Sequence, residues 1–79
     1  MKLYLLEQHD NDYHDTFDSI VVCAENSQDA VTIDPNGLVY KEKEHSFWAF
    51  KKESITCTEI GEANNKQERG VIIASFCAG

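Results

Sequence analysis

Four apolar stretches separated by polar ones organise this chain, and each reads as a β-strand. Residues 2–8 open with alternating character and stop at a polar stretch, 9–15, that cannot be buried cheaply. Residues 17–24 follow, centred on the run Ile20-Val21-Val22-Cys23-Ala24. A run apolar on both faces suggests a strand in the middle of a sheet. In residues 54–60, Ile55 and Cys57 alternate with Ser54, Thr56 and Thr58, the period of a half-buried strand. Residues 71–76, Val-Ile-Ile-Ala-Ser-Phe, form the most strongly β-like run. Their unbroken apolar character predicts a place in the sheet interior, beside one of the N-terminal strands, because such a run is a liability at an exposed edge.

A short helix belongs between the second strand and the middle of the chain. Asn26 or Ser27 offers the N-cap oxygen, Asp29 falls in the first turn, and Ala30 and Ile33 share a face. Asp34-Pro35-Asn36-Gly37 then stops the helix after about two turns and reverses the chain. Residues 38–52 are ambiguous: Ser46-Phe47-Trp48-Ala49-Phe50 reads as a short strand or as a segment packed across the sheet. Residues 61–70, with Asn64-Asn65 near the middle, read as a hairpin loop. The order β-β-α-β-β, with an optional strand after the helix, predicts one α+β domain over residues 1–79. It has two layers, a three- to four-stranded antiparallel sheet and one short helix covering one face.

Composition narrows this further. At 79 residues the chain sits near the size where burial and chain entropy almost cancel, so a homodimer would help it. Its 42% apolar content argues against disorder. No apolar run approaches the roughly 20 residues of a membrane span, and the first residues lack a signal-peptide cleavage pattern, so a cytoplasmic location is expected. Cys23, Cys57 and Cys77 are an odd set at no zinc spacing and read as reduced structural thiols.

Charge is strongly asymmetric. Between Leu3 and Tyr40 stand the acids Glu7, Asp10, Asp12, Asp15, Asp18, Glu25, Asp29 and Asp34, and no base. From Lys41 onward acids and bases balance, so the net charge of −7 comes from the N-terminal half. Such a surface repels phosphate backbones, which excludes direct nucleic-acid binding, and favours a basic protein partner.

Several segments resemble a group of small uncharacterised proteins encoded by phages and prophages. They are the opening Met1-Lys2-Leu3-Tyr4-Leu5-Leu6-Glu7-Gln8, the stretch from Tyr13 to Glu25, Ile60-Gly61-Glu62-Ala63, and the ending from Gly70 to Gly79. The resemblance implies a small accessory protein of a virus or prophage acting inside a bacterial host, and carries no catalytic residue set.

Candidate functional residues cluster in the first half. Acids interleaved with aromatics make a partner-binding patch of Asp10, Asp12, Tyr13, Asp15 and Asp18, in which charge steers encounter and rings supply contact. Trp48, with Phe47 and Phe50, is either a partner anchor or a core plug. His9, Asp12 and His14 could ligate a divalent ion, though their spacing fits no known metal loop and a solvated loop is the default reading. There is no glycine-rich phosphate loop, no G-x-S-x-G and no nucleophile motif around any cysteine. A non-catalytic protein without cofactor is therefore expected, one that binds a basic host protein and blocks a nucleic-acid-binding defence system of the kind anti-CRISPR proteins target. The alternative is a structural or metal-binding accessory using the 9–15 loop.

Overall fold

The computed structural model describes residues 1–11, 15–41 and 47–77. Four strands form one antiparallel sheet: β1 (Lys2–Gln8), β2 (Thr16–Ala24), β3 (Ile55–Glu62) and β4 (Gly70–Cys77). One short helix, α1 (Ser27–Ala30), follows β2. The strand order is β3-β1-β2-β4, so the architecture is the anticipated two-layer α+β arrangement.

The β1–β2 pair is the centre. Tyr4 stands opposite Val22, and Leu6 opposite Ile20. On the same face β3 adds Cys57 beside Leu6 and Ile55 beside Gln8, while β4 adds Ala74 beside Ile20 and Val71 beside Val22. These residues pack against Ala30, Ile33, Trp48 and Ala49, which arrive from the chain between the second and third strands. The helix alone is too small to cover the sheet. The 47–49 segment completes the second layer, and Trp48 is fully buried within it. For residues 47–50 the ambiguity therefore resolves towards packing, with no strand there, while residues 42–46 lie outside the described residues.

The helix is four residues long, shorter than the predicted two turns. Asn26 caps it, its Oδ1 accepting from Asp29 N–H at 2.8 Å. The end of the helix tightens, because Thr32 N–H donates to the Asp29 carbonyl and Ile33 N–H to that of Ala30. Asp34 then turns the chain: its Oδ1 accepts from the N–H groups of Asn36, at 2.8 Å, and Leu38, at 3.0 Å. Gly37 supplies the positive φ of 81° that the turn requires. The acid is buried, so it serves the turn rather than the surface.

Two sequence expectations are corrected. Residues 61–70 form no hairpin, since β3 and β4 lie on opposite edges of the sheet. The connection crosses the end of the β1–β2 pair, a span of roughly 14 Å for three strand spacings. Ala63 N–H meets the Met1 carbonyl on the way, and Arg69 forks onto the Asp29 carboxylate at 2.7–3.1 Å. Correspondingly, β4 is beside β2 as expected but at the edge, not in the interior. Apolar continuity did not fix its place because only one face of the sheet is covered. Ile72 and Ile73 remain exposed, at 43% and 64%.

The bulk of the second layer is one indole ring. Trp48→Ala should lower the unfolding free energy by about 3–5 kcal/mol, as for other deep aromatic truncations. Urea denaturation followed by circular dichroism measures it, and a loss well under that range would show that the ring is not a core element.

Candidate protein-binding surface

The acidic first half divides into acids that build the fold and acids that face outward. The division begins at Gln8, whose side chain is buried at the end of β1. Its Oε1 accepts from the N–H groups of Asp10 and Asn11, and its Nε2 donates to the carbonyls of Asn11 and Phe17. This closes a tight polar turn where a solvated loop was expected. Asn11, 2% exposed, extends the network by donating from Nδ2 to the Trp48 carbonyl at 2.7 Å.

Asp10 belongs to the same network. Its two carboxylate oxygens accept from Phe50 N–H at 2.9 Å and Lys51 N–H at 3.0 Å. Burial pushes the Asp10 carboxyl up, but hydrogen bonds from the Ser54 hydroxyl and from the Phe50 and Lys51 amides outweigh it and hold the group below its ordinary value. Asp10 thus fixes backbone, a role that its place in the expected partner-binding patch did not include. Asp29 is likewise engaged: the Arg69 guanidinium, then the Glu25 amide, hold its carboxyl below the ordinary range.

Asp15 and Asp18 are exposed. Asp15 has φ of 61°, a left-handed conformation that Asp tolerates, and it leads directly into β2. Asp18 sits in a bulge between Phe17 and Ser19. The bulge leaves Phe17 facing the core side, where its ring meets Phe47 edge-on with centroids 6.1 Å apart. It also meets Phe76 on β4 at 4.8 Å. Phe76 is 48% exposed, so two outward carboxylates bracket an aromatic pair that is open on one side. Neither carboxylate has an ion-pair partner among the described residues.

The remaining candidates fall elsewhere. Trp48 is buried and presents no surface to a partner. Asp12, Tyr13 and His14 lie outside the described residues. His9 is exposed, with Nε2 3.1 Å from Thr56 Oγ1. Among the described residues no group of three or more His, Cys, Asp or Glu side chains is placed to hold a metal ion. Cys23 and Cys57 are free thiols, and burial pushes the Cys57 thiol up. The aromatic that sequence reasoning passed over is Phe76. Its signal was its place at the end of an uninterrupted apolar strand, which was read as interior.

Comparison with protein-family models, curated proteins and solved structures finds no match to this chain. No helix among the described residues is long and apolar enough to cross a membrane.

The Asp10 contacts have a pH signature. A carboxyl held below its unfolded-state value adds stability that is complete above that value and is lost as pH falls through the folded one. Wild-type melting temperature should therefore drop on acidification below the ordinary carboxylate range, and Asp10→Asn should flatten that slope. Asp10→Ala at neutral pH should cost about 1–3 kcal/mol, the range for charge-assisted hydrogen bonds. An acid slope identical in wild type and Asp10→Asn would remove Asp10 from this role.

Proposed function

We propose that this chain is a non-catalytic accessory protein of a phage or prophage that acts in the bacterial cytoplasm by binding a host protein with a basic surface. The observation that carries the reading is the pair of exposed carboxylates, Asp15 and Asp18, set around the Phe17–Phe76 ring contact. Charge steers a basic partner and an aromatic edge supplies desolvated contact, the combination that protein interfaces use for rate and for affinity. Glu25 adds a further exposed acid beyond β2. The net charge of −7 supports the exclusion of nucleic acid as the direct ligand, since nucleic-acid binding draws on Lys and Arg to displace counterions. A host enzyme whose Lys/Arg groove normally receives phosphates offers a complementary surface. An anti-defence role of the anti-CRISPR kind follows from that complementarity and from the phage-like sequence character.

Capture from bacterial lysate on the immobilised protein tests this. Capture of a basic protein should weaken as salt rises, because the attraction is screened over about 10 Å at 0.1 M ionic strength. Asp15→Asn, which keeps a residue that tolerates the left-handed backbone, with Asp18→Lys should abolish capture while leaving the circular dichroism spectrum intact, since exposed substitutions that spare the backbone usually change stability by within about 0.5 kcal/mol. Undiminished capture by that double variant, or direct binding of DNA by the wild type, would overturn the proposal.

A further inference from the structure

We propose that Asn36 is a site of spontaneous covalent modification: its side-chain amide closes onto the Gly37 nitrogen, and position 36 becomes aspartate or isoaspartate. Asparagine is among the thermolabile residues of proteins, but the asparagines of this chain are not alike. Asn11 is buried and donates from Nδ2 to the Trp48 carbonyl. Asn26 caps α1, and Asn64 accepts from Lys66 N–H, both through Oδ1. Asn65 is exposed, but the Lys66 side chain that follows crowds the approach of its own backbone nitrogen. Asn36 is exposed, its side chain is engaged in no hydrogen bond among the described residues, and Gly37 follows it. Gly37 has φ of 81°, and a Cβ placed there would meet nothing within 4 Å. Its nitrogen therefore has open space on the side from which a ring would form.

The bond changes need only solvent water. The Gly37 nitrogen attacks Asn36 Cγ, the Cγ–Nδ2 bond breaks, and Nδ2 leaves as ammonia together with the Gly37 amide proton. Water then opens the succinimide. Opening at Cγ gives aspartate, and opening at the main-chain carbonyl carbon of residue 36 gives isoaspartate, whose chain runs through Cγ. Either product adds a negative charge to a chain already at −7. The turn sets the rate. Gly37 N–H donates to the Asp34 carbonyl at 2.9 Å, and Asp34 Oδ1 holds the amides of Asn36 and Leu38. The proton that must leave is thus held, and the nitrogen cannot swing onto Cγ. Behind the turn, Ile33 bridges Val39 and Tyr40 N–H donates to the Thr32 carbonyl at 2.8 Å. The reaction proceeds from local openings of this loop, which require less than opening of the sheet. Isoaspartate lengthens the main chain by one atom and cannot restore the spacing from Asp34 to Gly37 and Leu38, whereas aspartate lets the turn reclose. None of these residues belongs to the acidic-surface proposal, and the two stand or fall separately.

Ageing the whole protein under warm, mildly alkaline conditions in heavy-oxygen water, followed by peptide mapping, tests the site. Conversion should appear at Asn36 before any other asparagine, with one solvent oxygen incorporated. It should give two peptides of equal mass, only one of which is cut by a protease specific for aspartate. Gly37→Ala should slow it several-fold or more. The same chain unfolded in guanidinium chloride should react several-fold faster than the folded one. Asp34→Ala, checked by circular dichroism because that acid is buried, should move the folded rate towards the unfolded one. First conversion at another asparagine, aspartate without isoaspartate, or a rate indifferent to Gly37→Ala would each overturn the site. Equal rates in the folded and unfolded chains, or a folded Asp34→Ala variant no faster than wild type, would overturn control by the turn.

Discussion

The fold depends on a small polar network at the end of β1. Gln8, Asp10 and Asn11 turn the chain and, through three side-chain hydrogen bonds, hold the backbone of Trp48, Phe50 and Lys51. Two consequences follow. Trp48 is set over Leu6 and Ile20, which closes a core the four-residue helix could not close by itself. The chain is also delivered to the outer side of β1, so that Ile55 starts opposite Gln8 and β3 runs back along β1. With that edge taken, the free edge next to β2 is where β4 completes the sheet. Buried polar groups tie down structure in this way only when each is paired, and the Gln8 amide here is bonded through both its oxygen and its nitrogen.

The acid-rich half is thereby divided by function. Asp10, Asp29 and Asp34 hold backbone amides, and Asp29 also holds Arg69. An acid is suited to such positions because one carboxylate can satisfy two donors that a turn leaves unpaired. Asp15, Asp18 and Glu25 remain on the surface. Among the described acids of this half, the exposed ones therefore stand where β2 begins and ends.

Strand positions were legible because they are encoded by a period of two within a few neighbouring residues. The register of β1 against β2 is the sort of feature such a pattern carries. The sheet order was not legible, since it rests on contacts such as Asp10 to Phe50, 40 residues apart in sequence. The same distance hid the role of Asp10, which in sequence is one more acid in an acidic run. Trp48 was read as an anchor or a core plug, and Phe76 as part of an interior strand. Which of them is buried depends on which face the 47–49 segment covers, and no local pattern states that. Asp34-Pro35-Asn36-Gly37 was readable as a turn because each residue type there acts within its own four-residue window.

The central hairpin consists of the chain's first strands, while both flanking strands come from its last third. During synthesis, β1 and β2 therefore emerge with neither neighbour available, and the apolar inner face of the pair has only Ala30 and Ile33 as cover until Trp48 arrives. The sheet grows outward from its middle, and its final strand is also its least charged. For the time between translation of Ala24 and of Cys77, the edges open to whatever strand is nearby, a nascent copy on the same messenger included, are those of the central pair itself.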